Sequence, residues 1–286
     1  MTIRTWTRIG IPLMWGLLWW GLSGCAHETT LTRADFHLYS GLEKEVFAAE
    51  SDSLLCVSYN IEYSEKLDQA LLDLTADPRL LNPDILLLQE MDPDGVAFIA
   101  EGLGMNYFYY PSFIHPHHGR LFGTAVLSPW PLGQPQYIVL PYPNPLTDHH
   151  RTALAVDVLI GKRVVRAVSV HMSTLMIDLE DRLEQATIVA DSLVSAAGIA
   201  IIGGDFNTGT HWEEVLFRRV ARKAGFREAR FMEERTALGG PLDLVGYHLN
   251  LDRVYYRDLE FLASGVSKDA TASDHFPVWS LFRWRK

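Results

Sequence analysis

The chain has 286 residues, 48% of them hydrophobic and 21% charged, with a formal net charge of -10 and a sequence pI near 5.5. That is a globular composition, long enough for one large core and too apolar for a disordered chain. The acidic balance argues against tight, non-specific binding along a nucleic-acid backbone, and two cysteines, Cys25 and Cys56, exclude a disulfide framework.

The first segment reads as an address. Arg4 and Arg8 precede an apolar stretch from Ile9 to Leu22, which is short for a membrane span of about 20 residues. It closes with Leu22-Ser23-Gly24-Cys25, which resembles the bacterial lipobox: small residues before the cut and a thiol directly after it for acylation. We therefore expect residues 1–24 to be a lipoprotein signal peptide and residues 25–51 to be a lipidated Cys25 with its tether and lead-in. Residues 52–286 would form one domain. The expected location is the bacterial cell envelope, with the membrane engaged through Cys25.

Leu54–Ile61 reads as a strand, with Cys56 a buried, inert thiol inside it, and Leu67–Leu81 as a helix. Ile85–Gln89 is a buried strand and Gly95–Leu103 a helix. The stretch Tyr109–Arg120, rich in Pro, Tyr and His, reads as a loop, and Gly123–Leu127 as a strand closed by Pro129 and Pro131. Leu140–Arg151 reads as a second loop. Thr152–Ile160 and Arg163–Val170 alternate around Gly161-Lys162, the pattern of an antiparallel hairpin. Asp178–Ala197 is a helical pattern, Ile199–Gly203 a strand and His211–Ala224 a helix stopped by Gly225. Two or three further strands carry the chain to Trp284. Strands joined partly by hairpins and partly by helices imply mixed sheets with helices outside.

What stands at the ends of the apolar strands carries chemistry. One ends in Ser58-Tyr59-Asn60, another in Gln89-Glu90, a third in Val170-His171 and a fourth in Gly203-Gly204-Asp205-Phe206-Asn207; Ser273-Asp274-His275 lies near the C-terminus. Each residue alone has a bland reading. Glu90 can be a solvated strand end, Asn60, Asp205 and Asn207 turn residues, His171 a satisfied half-buried imidazole, and Asp274-His275 a loop cap. All of them in one order, at strand ends where open α/β sheets place ligand sites, favour a functional cluster.

The combination resembles the endonuclease/exonuclease/phosphatase superfamily, which includes DNase I-like nucleases, inositol-polyphosphate phosphatases and neutral sphingomyelinases. The resemblance runs from about Leu54 to Trp284 and rests on Gly204-Asp205-Phe206-Asn207 and Ser273-Asp274-His275, with Gln89-Glu90 and His171 in support. It implies a four-layer α/β sandwich, two packed mixed sheets flanked by helices. It further implies divalent-metal-dependent hydrolysis of phosphate esters, with Mg²⁺ as cofactor and Mn²⁺ as a substitute. Glu90 would ligate the metal, with Asp274 and Asn60 beside it. Asp205 would orient or deprotonate the attacking water, and Asn207 would bind a phosphate oxygen. His275, paired with Asp252, and His171 would act at the phosphate, while Asn60 and Arg151 bind it.

The expected substrate is a phosphate ester, whether nucleic acid, phospholipid or sugar phosphate, and the expected state is a monomer. Tyr107, Phe108, Tyr109, Tyr110, His115, His117, His118, His149 and His150 lie in the segments between these motifs; the tyrosines are expected to pack. His115, His117 and His118 lack an obvious fourth zinc ligand. The competing class is a binding or scaffold protein of the same fold that has lost catalysis; a serine hydrolase would need a Gly-x-Ser-x-Gly elbow, which is not present.

Overall fold

The computed structural model describes residues 36–41, 51–116, 118–193, 198–231, 235–240 and 248–285. The expected signal peptide, Cys25 and most of the expected tether lie outside the described residues, as do His117 and residues 194–197 of the expected third helix. Among the described residues no helix is long and apolar enough to cross a membrane.

The chain folds in the order β1 (Tyr39–Gly41), β2 (Ser53–Asn60), α1 (Leu67–Ala76), β3 (Ile85–Met91), α2 (Pro93–Leu103), β4 (Asn106–Ile114), β5 (Leu121–Ser128) and β6 (Leu132–Val139). There follow β7 (Thr152–Ile160), β8 (Arg163–His171), α3 (Leu179–Asp191), β9 (Ile199–Asp205), α4 (His211–Lys223), β10 (Arg227–Glu228), β11 (Asp252–Arg257), β12 (Leu259–Val266) and β13 (Val278–Trp284). Seven strands form one sheet in the order β1-β4-β5-β3-β2-β13-β12, and six form the other in the order β10-β11-β9-β8-β7-β6.

Three apolar layers separate four layers of structure. Leu54, Leu87, Val126, Val156, Ala167, Ile201 and Phe282 fill the space between the sheets. Leu74, Leu88, Val96, Ile99 and Tyr109 pack α1 and α2 on the outer face of the first sheet. Val168, Val189, Ile202, Phe217 and Tyr255 do the same for α3 and α4 on the second. This is the four-layer α/β sandwich that the strand-end motifs imply.

Among the described strands only β2–β3 and β8–β9 pair in parallel; the other described pairs are antiparallel. Each parallel pair is joined through one helix, so its two C-terminal ends lie at the same rim. Asn60 sits opposite Gln89 in the first pair, and His171 opposite Asp205 in the second.

Two expectations need correction, and one strand went unread. Tyr109–Arg120 is not all loop: as far as Ile114 it belongs to β4, an inner strand between β1 and β5. Pro111 hides the strand because proline cannot donate to a ladder. The pairing tolerates it with a register shift between Pro111 and Phe113, and β1 reaches no further along β4 than Tyr109. β6 is hidden in the same way: Pro135 interrupts its alternation, which an edge strand accommodates. The first helix stops at Ala76 rather than Leu81, because Asp77 is extended before Pro78.

Candidate active site

The rim where both parallel pairs end gathers most of the residues singled out in the sequence. The amide of Asn60 donates to Glu90 Oε1 at 3.2 Å and to Asp205 Oδ2 at 3.3 Å, so one side chain joins the ends of the two sheets. His171 Nε2 lies 3.4 Å from Asp205 Oδ2 and 3.9 Å from Glu90 Oε1. His275 Nδ1 lies 2.9 Å from Asp252 Oδ2, and its Nε2 lies 3.8 Å from Asp205 Oδ2. Asp205 is thus approached by Asn60, His171 and His275 on one oxygen, while its other oxygen accepts the Asn207 N–H at 2.8 Å.

Backbone geometry places these groups. Glu90 has φ 59° within a register irregularity between β3 and β5, and Asn207 has φ 50°. Non-glycine residues held there store strain that the surroundings must offset, a pattern common at functional sites. Gly204, at φ 147°, lies so close to β8 that a Cβ would sit 1.9 Å from the Val170 carbonyl oxygen. A side chain at this position would push β9 away from β8 next to the His171–Asp205 rung.

Burial sets the electrostatics. It pushes the Glu90 carboxyl upward against the pull of Arg151. It also pushes Asp205 up to about 7, with His275 opposing and Asp252 reinforcing the rise. Burial alone would lower His275; the carboxylates of Asp252 and Asp205 overcome it and hold the imidazole near 10, as a cation whose Nδ1–H donates to Asp252 while Nε2 faces Asp205 at 3.8 Å. His171 is driven the other way, by burial and then by Arg151 and His275, and is neutral.

Arg151 fixes which nitrogen of His171 carries the proton. Its guanidinium Nη1 lies 3.3 Å from His171 Nδ1, and because arginine can only donate, Nδ1 accepts. The proton of the neutral ring is then on Nε2, facing Asp205. The Arg151 guanidinium is stacked over Phe122 at 5.1 Å and Phe113 at 5.5 Å, which holds this donor in place.

Glu90, His171 and Asp205 offer ligand atoms that all lie within 4.8 Å of one another, a spacing that fits a metal ion. Asn60 Oδ1, beside them, is buried with no hydrogen-bond partner, an acceptor suited to a cation. The tautomer of His171 makes it a donor rather than a ligand. The hard oxygen donors therefore suit a cation such as Mg²⁺ better than a softer metal. Asp274 is exposed at the edge of this group, close enough to raise both Glu90 and His275 electrostatically.

Thr236 and Arg182 support the site and carry no signal in the sequence, whereas Gln89 is marked there only as the neighbour of Glu90. Thr236 Oγ1 accepts the Leu251 and Asp252 N–H groups at 2.9 and 3.0 Å, and its carbonyl accepts the Phe276 N–H at 2.7 Å, so it braces both members of the Asp252–His275 pair. Arg182 on α3 is fully buried; it donates to the Asn207 carbonyl at 2.9 Å and pairs with Glu213, which completes the capping box of α4 with Thr210. Gln89 donates to Ser169 Oγ at 3.0 Å and to Ser58 Oγ at 3.3 Å, linking the two sheets beneath the rim. The aromatic segment between the motifs packs as expected at Tyr109 and Tyr110, which are buried. Tyr63, His115, His118 and Phe122 form one ring cluster, with Phe122 touching His171.

Known structures of similar architecture place this rim in context. The chain is similar to an endonuclease/exonuclease/phosphatase from Beutenbergia cavernae DSM 12333, at 21% identity and a TM-score of 0.64, over 81% of this chain and 72% of that one. It is similar to an endonuclease/exonuclease/phosphatase family protein from Leptotrichia buccalis C-1013-b at 15% identity and a TM-score of 0.64, over 81% and 100% of the two chains. It is also similar to D. rerio TDP2 complexed with single strand DNA product, at 16% identity and a TM-score of 0.62, over 82% and 100%. At these identities the likeness establishes the fold. The sequence profile of the Endonuclease/Exonuclease/phosphatase family matches residues 57–275, a span that runs from β2 to His275. The chain therefore belongs to the endonuclease/exonuclease/phosphatase family, whose members are metal-dependent hydrolases of phosphate esters.

Proposed function

We propose that this chain is a divalent-metal-dependent phosphoesterase, using Mg²⁺ or Mn²⁺, that acts as a monomer on the bacterial cell envelope and is held there by lipidated Cys25. The observation that carries the reading is the convergence at one rim of two acidic groups, a neutral imidazole, a cationic imidazole and an orphan amide oxygen. A bound Mg²⁺ neutralises charge on the phosphoryl oxygens. Glu90 and Asn60 Oδ1 would hold it, with Asp274 supplying further negative charge at the edge.

The chain's own groups account for the rest of the hydrolysis. Asp205, with Oδ1 fixed by the Asn207 amide, presents Oδ2 to orient a water and accept its proton. His275, held by Asp252, is a fixed cation that stabilises negative charge developing on the phosphate. His171 donates from Nε2, its tautomer set by Arg151, to a phosphate oxygen or the departing oxygen. Asn207 and Arg151 complete the phosphate contacts.

The test is a hydrolysis screen with plasmid DNA, RNA, bis-p-nitrophenyl phosphate, phospholipids and sugar phosphates, each with Mg²⁺, with Mn²⁺ and with EDTA. Metal-dependent turnover that disappears in Glu90→Gln is the expected result. Undiminished turnover in an Asp205→Asn/His275→Ala double variant would remove the site proposed here. Anchoring is read separately: Cys25→Ser should release the protein from membranes and change its processed mass.

A further inference from the structure

The catalytic rim carries an apolar lip that the phosphoesterase reading does not use. Leu146 (78% exposed) lies in the β6–β7 loop, Leu175 (63%) and Met176 (50%) follow His171 in the β8–α3 loop, and Trp212 (60%) opens α4 after the Asp205–Asn207 turn. All three loops leave the second sheet at its catalytic end. The last two are neighbours: the Leu175 side chain lies against Gly209, three residues before Trp212. The β6–β7 loop is tied to α3 by Gln185 Nε2 donating to the Pro141 carbonyl at 2.6 Å and by Tyr142 donating to Glu184. Large apolar side chains exposed together on adjoining loops mark a contact surface rather than scattered surface residues.

The course of the N-terminal chain indicates what covers this lip. β1 runs antiparallel to β4, with Tyr39 opposite Tyr109 and Gly41 opposite Tyr107, so residues 36–38 lie toward the Ile114 end of β4, which is the catalytic end. Phe36 and Leu38 pack on the core between the sheets. Eleven residues, Cys25 to Asp35, precede Phe36, and fully extended they span at most about 40 Å. The described part of the chain thus begins at the catalytic end, separated from Cys25 by at most that distance. β4 is also the strand whose Tyr110 stacks on Tyr137 of β6, so β1 enters on the flank that bears the β6–β7 loop.

We propose that Leu146, Leu175, Met176 and Trp212 insert into the lipid bilayer to which Cys25 is anchored, seating the catalytic rim at the membrane surface. The proposal rests on the anchoring reading for its orientation and is independent of catalysis. The chain's net charge of -10 makes apolar insertion, rather than attraction to anionic headgroups, the binding force. Zwitterionic vesicles should therefore bind at least as well as anionic ones.

The experiment uses the full chain, purified from membranes and reconstituted in phosphatidylcholine vesicles with or without brominated acyl chains. Subtracting the emission of a Trp212→Phe variant isolates Trp212 from every other tryptophan. The expected result is that this isolated emission is blue-shifted and quenched by the bromolipid. A protein that floats with the vesicles while its Trp212 emission is unquenched overturns the lip and leaves the anchor intact. The same measurement on Cys25→Ser with added vesicles separates the two readings: Trp212 quenched without anchoring supports the lip alone, and neither flotation nor quenching overturns it. In that Cys25→Ser background, Leu175→Gln/Met176→Gln/Trp212→Gln should lower vesicle partitioning by roughly tenfold or more, with its thermal midpoint unchanged because all three side chains are exposed.

Discussion

The two strand–helix–strand modules, β2-α1-β3 and β8-α3-β9, have the same plan and different chemistry at their ends. The first ends in Asn60 and a partly accessible Glu90 in a strained backbone, the arrangement of a ligand reaching for a cation. The second ends in His171 and Asp205, both buried, with His275 added from the β12–β13 loop, the arrangement of groups that hold and exchange protons. One architectural unit, used twice and packed face to face, thus brings the edge proposed to hold a metal and the edge proposed to handle protons within hydrogen-bonding distance. Asn60 is the bridge between them.

This division can be broken by substitution. Glu90→Gln should abolish metal-dependent turnover together with Mn²⁺ binding read by calorimetry. Asp205→Asn should lower turnover by roughly 10²-fold or more while retaining most of the metal affinity. Equal loss of metal by both variants would show that the two module ends form one ligand set. Gln89→Leu tests the packing between modules: it leaves Ser169 and Ser58 without their amide partner and should cost about 1–3 kcal/mol in denaturant unfolding.

The smallest effect concerns Asp77, which closes the first module after α1. Hydrogen bonding from Arg79, ahead of that from Ser267, holds its carboxyl down at about 2. A depressed acid stabilises the fold fully above its unfolded value near 3.8, and that contribution is lost as pH falls through about 2. The unfolding midpoint should slope downward across that window, and Asp77→Asn should flatten the slope. An unchanged slope would mean the pair contributes nothing, as exposed pairs often do.

The strand ends were legible in the sequence because buried parallel strands are largely apolar runs, so the polar residues that close each run mark the rim. Asn60, Glu90, His171 and Asp205 are all found that way. β4 and β6 were not, since Pro111 and Pro135 carry the usual signature of a loop and only the register of neighbouring strands shows that the missing donor is tolerated. The braces were hidden for a different reason. Thr236 and Arg182 are ordinary polar residues whose partners lie 15 or more positions away, and no local spacing encodes such contacts; Gln89 was visible as part of a strand-end motif, but its bracing of Ser169 was not. The tautomer of His171 likewise depends on Arg151, 20 positions upstream, and becomes visible only in three dimensions.

Gly204 bears on how this chain can vary. Its close approach to Val170 admits no Cβ, and its φ of 147° suits glycine alone. In a library randomised at every codon, position 204 should therefore survive as a single letter, while Gly209, whose Cβ would meet only the side chains of Leu175 and Glu213, should accept replacements. Selection at position 204 would act on the width of a gap between two strands, with no contact of its own to any substrate.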